Sequence, residues 1–182
     1  MWEIFLKAFY LLWPAYLANM APVIFAKLNW LNFLARPIDG GRKIGNCFIF
    51  GENKTWRGLA AGILGGLVAS GIQAGLYNYD FFQKLSIVDY SEVFFWLGLW
   101  GGWGAILGDL VKSFLKRRLK IAAGRPWPLF DQLDFVVGFF IFTFWLVDYN
   151  WQLVAAVGSL TLILHPLTNI TAYFLKIKKV WW

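Results

Sequence analysis

Apolar residues gather into five long runs, separated by stretches where charge and glycine return. The runs cover 4–26, 58–79, 93–111, 133–147 and 151–175. Each is near the roughly 20 residues that a helix needs to cross a bilayer. The first is uncharged from Ala8 onward, although Pro14, Asn19 and Pro22 interrupt it. With no small-x-small cleavage site in view, it is read as a retained membrane helix and not as a leader. The second is uncharged throughout and rich in Gly and Ala, which lets helix backbones approach closely in lipid. The fourth is short in strictly apolar terms and is extended at both ends by aromatics. The pattern predicts an all-α, polytopic membrane protein, one domain over 1–182 with five transmembrane helices and long loops.

The loops set the expected orientation. With the N-terminus outside, the loop 27–57, the loop 112–130 and the tail from Lys176 fall on the inner side. They carry six, six and three of the 17 Lys and Arg, leaving only Lys7 and Lys84 outside. Cytoplasmic loops are enriched in Lys and Arg, so the C-terminus and both long loops are expected to be cytoplasmic. The loop 27–57 is long for a helix connection and is punctuated by Pro37, Gly40, Gly41, Gly45 and Gly51. Its aromatic and apolar residues, among them Trp30, Phe33, Phe48 and Phe50, argue for an ordered, functional loop.

Composition agrees with a membrane location. Hydrophobic residues make up 59% and charged residues only 15%, against roughly a quarter in soluble domains. Twelve Trp, 7 Tyr and 18 Phe suit a protein with two lipid–water interfaces. The net charge of +7 lies between apolar runs and not along a polar face. That distribution fits anionic lipid or a phosphorylated substrate and excludes nucleic acid as a partner. Cys47 is the single cysteine, so no intramolecular disulfide forms, and it reads as an ordinary small residue.

Candidate chemistry concentrates in 108–134, GDLVKSFLKRRLKIAAGRPWPLFDQLD, which holds three of the ten acidic residues and six of the basic ones. Asp109 stands at the inner end of the third run. Ser113 is four residues on, with Lys116 and Arg117 about one turn beyond, so one helical face carries a carboxylate, a hydroxyl and cations. Asp131 and Asp134 are three apart at the start of the fourth run. Arg118, Lys120 and Arg125 read as markers of the inner side. Carboxylates bordering hydrocarbon are costly and usually functional. Hard cations such as Mg²⁺ take oxygen ligands, often one or two carboxylates plus substrate phosphates, which makes Asp109, Asp131 and Asp134 the candidate metal ligands.

A second constellation, GENKTWRG at 51–58, opens the second run. Asn53 and Thr55 fit a helix cap, and a helix N-terminus with Lys54 and Arg57 beside it favours phosphate. The spacing is not that of a P-loop. Upstream, Asp39, Gly40 and Arg42 form a glycine-rich turn able to pack against a nucleotide. A third set is polar groups at membrane depth: Asn19, and His165 with Asn169 four residues apart on one helical face. Polar side chains at that depth mark a bundle interior or substrate cavity. No His/Cys set points to zinc, and no Ser/His/Asp set points to acyl chemistry.

Taken in order, PAYLAN, the turn with Asp39 and Arg42, NKTWRG, GDLVKSFLKRR, PWPLFDQLD and HPLTN resemble the CDP-archaeol synthase family, archaeal CTP-dependent cytidylyltransferases of unsaturated ether-lipid phosphates. The resemblance covers nearly the whole chain. The 108–134 portion is also similar to the signature of bacterial phosphatidate cytidylyltransferase. It departs in having PWPLFDQLD where the bacterial pattern has a PGHGG segment and an Arg; Gln132 holds the position of that Arg. The resemblance implies transfer of CMP from CTP to an isoprenoid ether-lipid phosphate, with Mg²⁺ as cofactor and release of pyrophosphate. It implies Asp109, Asp131 and Asp134 for Mg²⁺, and Lys54, Arg57, Lys116 and Arg117 for phosphates. Thr55 and Ser113 would orient phosphates, and Asn19, His165 and Asn169 would lie near the lipid headgroup or the metal. The implied location is the cell membrane with the site on the cytoplasmic side.

Two rival readings fit parts of the sequence. A transporter or channel for a phosphorylated solute would need polar positions through the outer half, and these are missing. A non-catalytic scaffold for anionic lipid explains the cations but gives the three Asp no role. The glycine-rich faces fit packing within one chain or in a homodimer.

Overall fold

Pro14 decides how the first apolar run folds. In the structure, a computed structural model that describes residues 2–122, 124–177 and 180, the run divides into α1 (Trp2–Leu11) and α2 (Trp13–Lys27), bent by 47° at Leu12. Proline has no N–H, so the carbonyl four residues back loses its helical donor. That carbonyl belongs to Tyr10, and it accepts instead from Gln73 Nε2 at 2.6 Å. Gln73 is fully buried on α3 (Trp56–Leu76), so the break in one helix is repaired by another.

The loop 27–57 is ordered. A 3-10 turn at Asn32–Leu34 precedes a two-stranded antiparallel hairpin, β1 (Lys43–Ile44) and β2 (Cys47–Phe48), and an antiparallel bridge joins Pro37 to Thr55; these are small departures from all-α. Thr55 caps α3, its hydroxyl accepting from Gly58 N at 3.1 Å. After α3 come a short α4 (Asp80–Leu85), then α5 (Tyr90–Arg118), α6 (Phe130–Thr143) and α7 (Trp151–Phe174).

Helices α3, α5 and α7 are each long and apolar enough to cross a membrane, and α1 with α2 adds a fourth if the bent pair is one span. The run 133–147 behaves differently. Its helix has 14 residues, about 21 Å of rise, short of a hydrocarbon layer about 30 Å thick. Thr143 closes the corner: its hydroxyl donates to Phe139 O and pairs with Tyr149 OH, both at 2.7 Å. The chain then turns before α7. By contrast α5, at 29 residues, overshoots the expected span and continues as helix to Arg118.

Close backbone contact fixes the bundle. α5 is gripped on two sides through glycines. A Cβ on Gly66 would stand 2.5 Å from the carbonyl of Gly98, placing α3 against α5. A Cβ on Gly138 would stand 2.0 Å from Gly104 O, and one on Gly108 would stand 2.1 Å from Asp134 O, placing α6 against the other face. These glycine faces are therefore used within the chain. The main core, including Leu11, Ala15, Leu97, Phe135, Phe139 and Val157, fills the space among α1, α2, α5, α6 and α7. A smaller cluster of Leu59, Ile106 and Leu110 seats Ile38 and Phe50 of the loop on the ends of α3 and α5.

Helices α2, α5 and α7 finish, and α3 and α6 begin, at one end of the bundle. Every described Lys and Arg except Lys7 and Lys84 lies at that end. Lys178 and Lys179, counted in the basic tail, lie outside the described residues.

Two outcomes follow for stability in detergent. Gly138→Ala forces α5 and α6 apart and costs about 1–3 kcal/mol, lowering the thermal midpoint, whereas Gly71→Ala, which meets nothing within 4 Å, is neutral or stabilising by up to about 1 kcal/mol. Gln73→Leu leaves the Tyr10 carbonyl buried without a donor and lowers the midpoint by an amount equivalent to about 1–3 kcal/mol.

Candidate active site

The register set at Gly108 brings the carboxylates of two helices to one point. Asp109 follows Gly108 on α5, and Asp134 lies opposite on α6 with Asp131 one turn before it. The point is occupied by Lys112, which in the sequence alone reads only as the start of a basic loop. Lys112 Nζ lies 3.0 Å from Asp109 Oδ1, 3.2 Å from Asp131 Oδ1 and 2.7 Å from Asp134 Oδ2. The available signal was its spacing: three residues after Asp109, it shares a face with it at the edge of an apolar run.

Two further lysines close the cluster. Lys54, delivered by the loop before α3, pairs with Asp109 Oδ2. Lys116 Nζ reaches both oxygens of Asp131, at 3.0 and 3.1 Å, and also donates to Arg125 O at 2.6 Å. The backbone N–H of Trp127 donates to Asp131 Oδ2. Thus Asp131 and Lys116 also fix the segment that leads into α6, where Leu129 adopts φ 68 and ψ −51, a strained conformation for a residue with a side chain. Three carboxylates and three ammoniums balance in a site where Lys112 and Asp134 are largely buried. Buried charge is tolerated only when so paired.

Beside the cluster lies a cleft of about 150 Å³, lined by Gly51, Asn53, Lys54, Lys112, Ser113, Lys116 and Arg117, among others. Ser113 and Lys116 are buried in its wall. Of the residues expected to bind phosphate, Lys54, Ser113, Lys116 and Arg117 are therefore brought together. Arg57 and Thr55 are not. Arg57 donates to Asn32 Oδ1 at 3.2 Å on the surface, and the Thr55 hydroxyl is used as the α3 cap. Arg42 is exposed just before β1.

Asp39 has a structural task. Its carboxylate accepts from Gly41 N at 2.9 Å, Phe50 N at 3.0 Å and Gly51 N at 3.4 Å. Burial disfavours its charge, but these backbone N–H groups outweigh that and hold its carboxyl below the ordinary carboxylate range. The glycines it grips, Gly41 at φ +74 and Gly51 at φ +108, take conformations that other residues rarely adopt. Asp39 thereby shapes the wall that presents Lys54. Arg118 supports the same loop, donating to Phe48 O at 2.8 Å.

The membrane-depth polar residues of α7 pack against α6. His165 stacks on Phe135, ring centroids 6.1 Å apart, and lies 3.5 Å from Asn169 Nδ2 through Nδ1. Phe135 is the neighbour of Asp134, so this pair sits against the α6 turn that carries the carboxylate. Asn19 is one turn beyond Tyr16, whose ring also meets Phe135, at 5.7 Å, and whose hydroxyl pairs with Thr161 at 3.1 Å.

The donor chemistry suits a hard divalent cation: three carboxylates converge, and Mg²⁺ prefers oxygen. Their spacing around Lys112 Nζ is that of ion pairs, not of ligands drawn in to about 2.1 Å. Among the described residues no group of three or more His, Cys, Asp and Glu is arranged to hold a metal. The residues thus fit the ion in kind, while their present arrangement fits an ammonium.

Comparison with known proteins finds matches that cover nearly all of the chain. The family model described as CarS-like CDP-archaeol synthase matches residues 1–182. The chain is 38% identical to the CDP-archaeol synthase of Methanocaldococcus jannaschii over 183 residues, covering 98% of this chain and 97% of the relative. It is 39% identical to that of Methanosarcina mazei over 184 residues, covering 93% and 99%. A solved structure described as giving insight into an intramembrane enzyme for archaeal membrane lipids biosynthesis superposes with a TM-score of 0.73. It is 30% identical, and the match covers 90% of this chain and 92% of that one.

Because the carboxyl of Asp39 is held below its unfolded value, its contribution is present above the unfolded pKa and lost as pH falls through the lower folded one. Limited proteolysis of the 40–51 loop at neutral pH accelerates in Asp39→Asn, and cleavage of that variant changes less between pH 7 and strongly acid solution than cleavage of the unaltered chain.

Proposed function

The chain belongs to the CDP-archaeol synthase family, and on that premise we propose that it transfers CMP from CTP to the phosphate of 2,3-bis-O-(geranylgeranyl)-sn-glycerol 1-phosphate. The products are unsaturated CDP-archaeol and pyrophosphate. The observation that carries this reading is the convergence of Asp109, Asp131 and Asp134 beside a cleft walled by Lys54, Ser113, Lys116 and Arg117.

The chemistry asks for little proton transfer. A lipid phosphate oxygen, already anionic, forms a bond to the α-phosphorus of CTP. The bond from that phosphorus to the bridging oxygen of the β-phosphate breaks, and pyrophosphate leaves with the electron pair. What the protein supplies is positioning and charge neutralisation. Lys54, Lys116 and Arg117 receive triphosphate oxygens and the departing pyrophosphate, with the guanidinium offering a planar fork. The Ser113 hydroxyl donates to a phosphate oxygen. Arg57, on the first turn of α3, and Arg42, just before β1, add to the positive field that draws the nucleotide in. Asn19, His165 and Asn169 face the lipid headgroup from the α2–α6–α7 side.

Mg²⁺ held by Asp109, Asp131 and Asp134 would supply charge neutralisation on the triphosphate. The site end of the bundle is cytoplasmic in this reading, where CTP is available, and the orientation has support from the Lys and Arg distribution. Five crossings then require α6 and the turn after it to traverse a locally thin or protein-filled part of the membrane.

Purified chain in nanodiscs, given CTP labelled at the α-phosphate, the ether-lipid phosphate and Mg²⁺, yields a labelled lipid; no labelled product across several lipid phosphates would return the question to transport or scaffolding. In the same assay Asp131→Asn and Asp134→Asn lose about 100-fold or more of the rate, and near-full turnover by either sinks the metal assignment.

A further inference from the structure

The three carboxylates that suit a divalent cation are already ion-paired with a cation tethered to the chain. Lys112 Nζ reaches all three, Lys54 takes the second oxygen of Asp109, and Lys116 takes both oxygens of Asp131. The cluster is electrically neutral as it stands. A metal drawn to oxygens of the same three residues would stand within a few ångströms of the Lys112 ammonium. Two cations cannot share that space, since like charges at such a distance repel strongly in a partly buried site. Lys112 is also a wall residue of the cleft, so a rotation about its side chain carries its amine from the carboxylates toward the place where phosphates are received.

We infer that Lys112 is a tethered competitor of the metal: its ammonium holds Asp109, Asp131 and Asp134 together in the empty enzyme and moves to the cleft when a divalent cation takes them. The inference rests on the metal reading above. It gives Lys112 two duties. In the empty site it keeps α5 and α6 in register by neutralising three carboxylates. In the loaded site it is a positioning residue for the triphosphate. Metal therefore binds weakly alone and well together with nucleotide, because only the phosphates offer the displaced ammonium a new partner.

The test measures metal binding without nucleotide or lipid, so its failure is distinct from failure of the transfer assay. Full-length chain in detergent is titrated with Mn²⁺, and free Mn²⁺ is read by electron paramagnetic resonance. Lys112→Met is expected to bind the ion about ten-fold or more tightly than the unaltered chain. It is also expected to melt at a lower temperature without metal and to regain most of the loss when Mn²⁺ is added. Unchanged or weaker binding in the variant overturns the proposal. Should Lys112→Met fail to fold, amine acylation of the unaltered chain followed by mass spectrometry decides. Adding Mg²⁺ raises the labelling of Lys112 relative to exposed Lys84, and equal labelling with and without Mg²⁺ overturns the idea.

Discussion

Backbone-to-backbone contact along α5 is the constraint on which the site depends. Gly66 and Gly98 let α3 close on one face of α5, and Gly104, Gly108 and Gly138 let α6 close on another. Lipid gives little hydrophobic drive for helices to associate, so close packing of small residues carries more of the load. The same contact that holds the bundle aligns the chemistry. Gly108 meets the carbonyl of Asp134, and the next residue, Asp109, is thereby brought opposite the α6 carboxylates. A displacement of α6 by one turn would separate the two halves of the site.

Once α5 and α6 are in register, the charges become the next problem. Three carboxylates at the edge of a low-dielectric layer repel one another unless cations are placed among them. The chain uses lysines from three places: Lys54 from the loop before α3, Lys112 from within the cluster and Lys116 one turn further along α5. Each also ties one segment to another. Lys54 fastens the long loop to α5, and Lys116 fastens the segment before α6 through Arg125 and Asp131. Electrostatic pairing and chain tracing are here the same set of contacts.

The loop 27–57 shows how a polar residue can serve a site without facing it. Asp39 spends its carboxylate on three backbone N–H groups, and the hairpin it organises carries Phe50 into the small apolar cluster and Lys54 to Asp109. Read as a sequence, Asp39 and Arg42 looked like nucleotide contacts. In the fold Asp39 is the brace of the cleft wall and Arg42 lies on its outer surface. Thr55 likewise fulfils its cap, while Ser113 and the cations stand around the cleft.

The sequence by itself determined the membrane class, the apolar runs, the basic asymmetry between the two ends, the family resemblance and the three Asp as a set. These follow from local chemistry: apolar length, loop charge, and carboxylates too close to hydrocarbon to be incidental. Only the tertiary structure decided the rest. The bend at Pro14 was readable, but its repair by Gln73 was not, because the two residues lie far apart in sequence and meet only when α3 packs on α2. The end of α6 is marked by the hydroxyl pair of Thr143 and Tyr149, which composition does not record. Lys112 was hidden for the same reason. A lysine at the end of an apolar run looks like a marker of the inner side until α6 closes on α5 and three carboxylates are found around its ammonium.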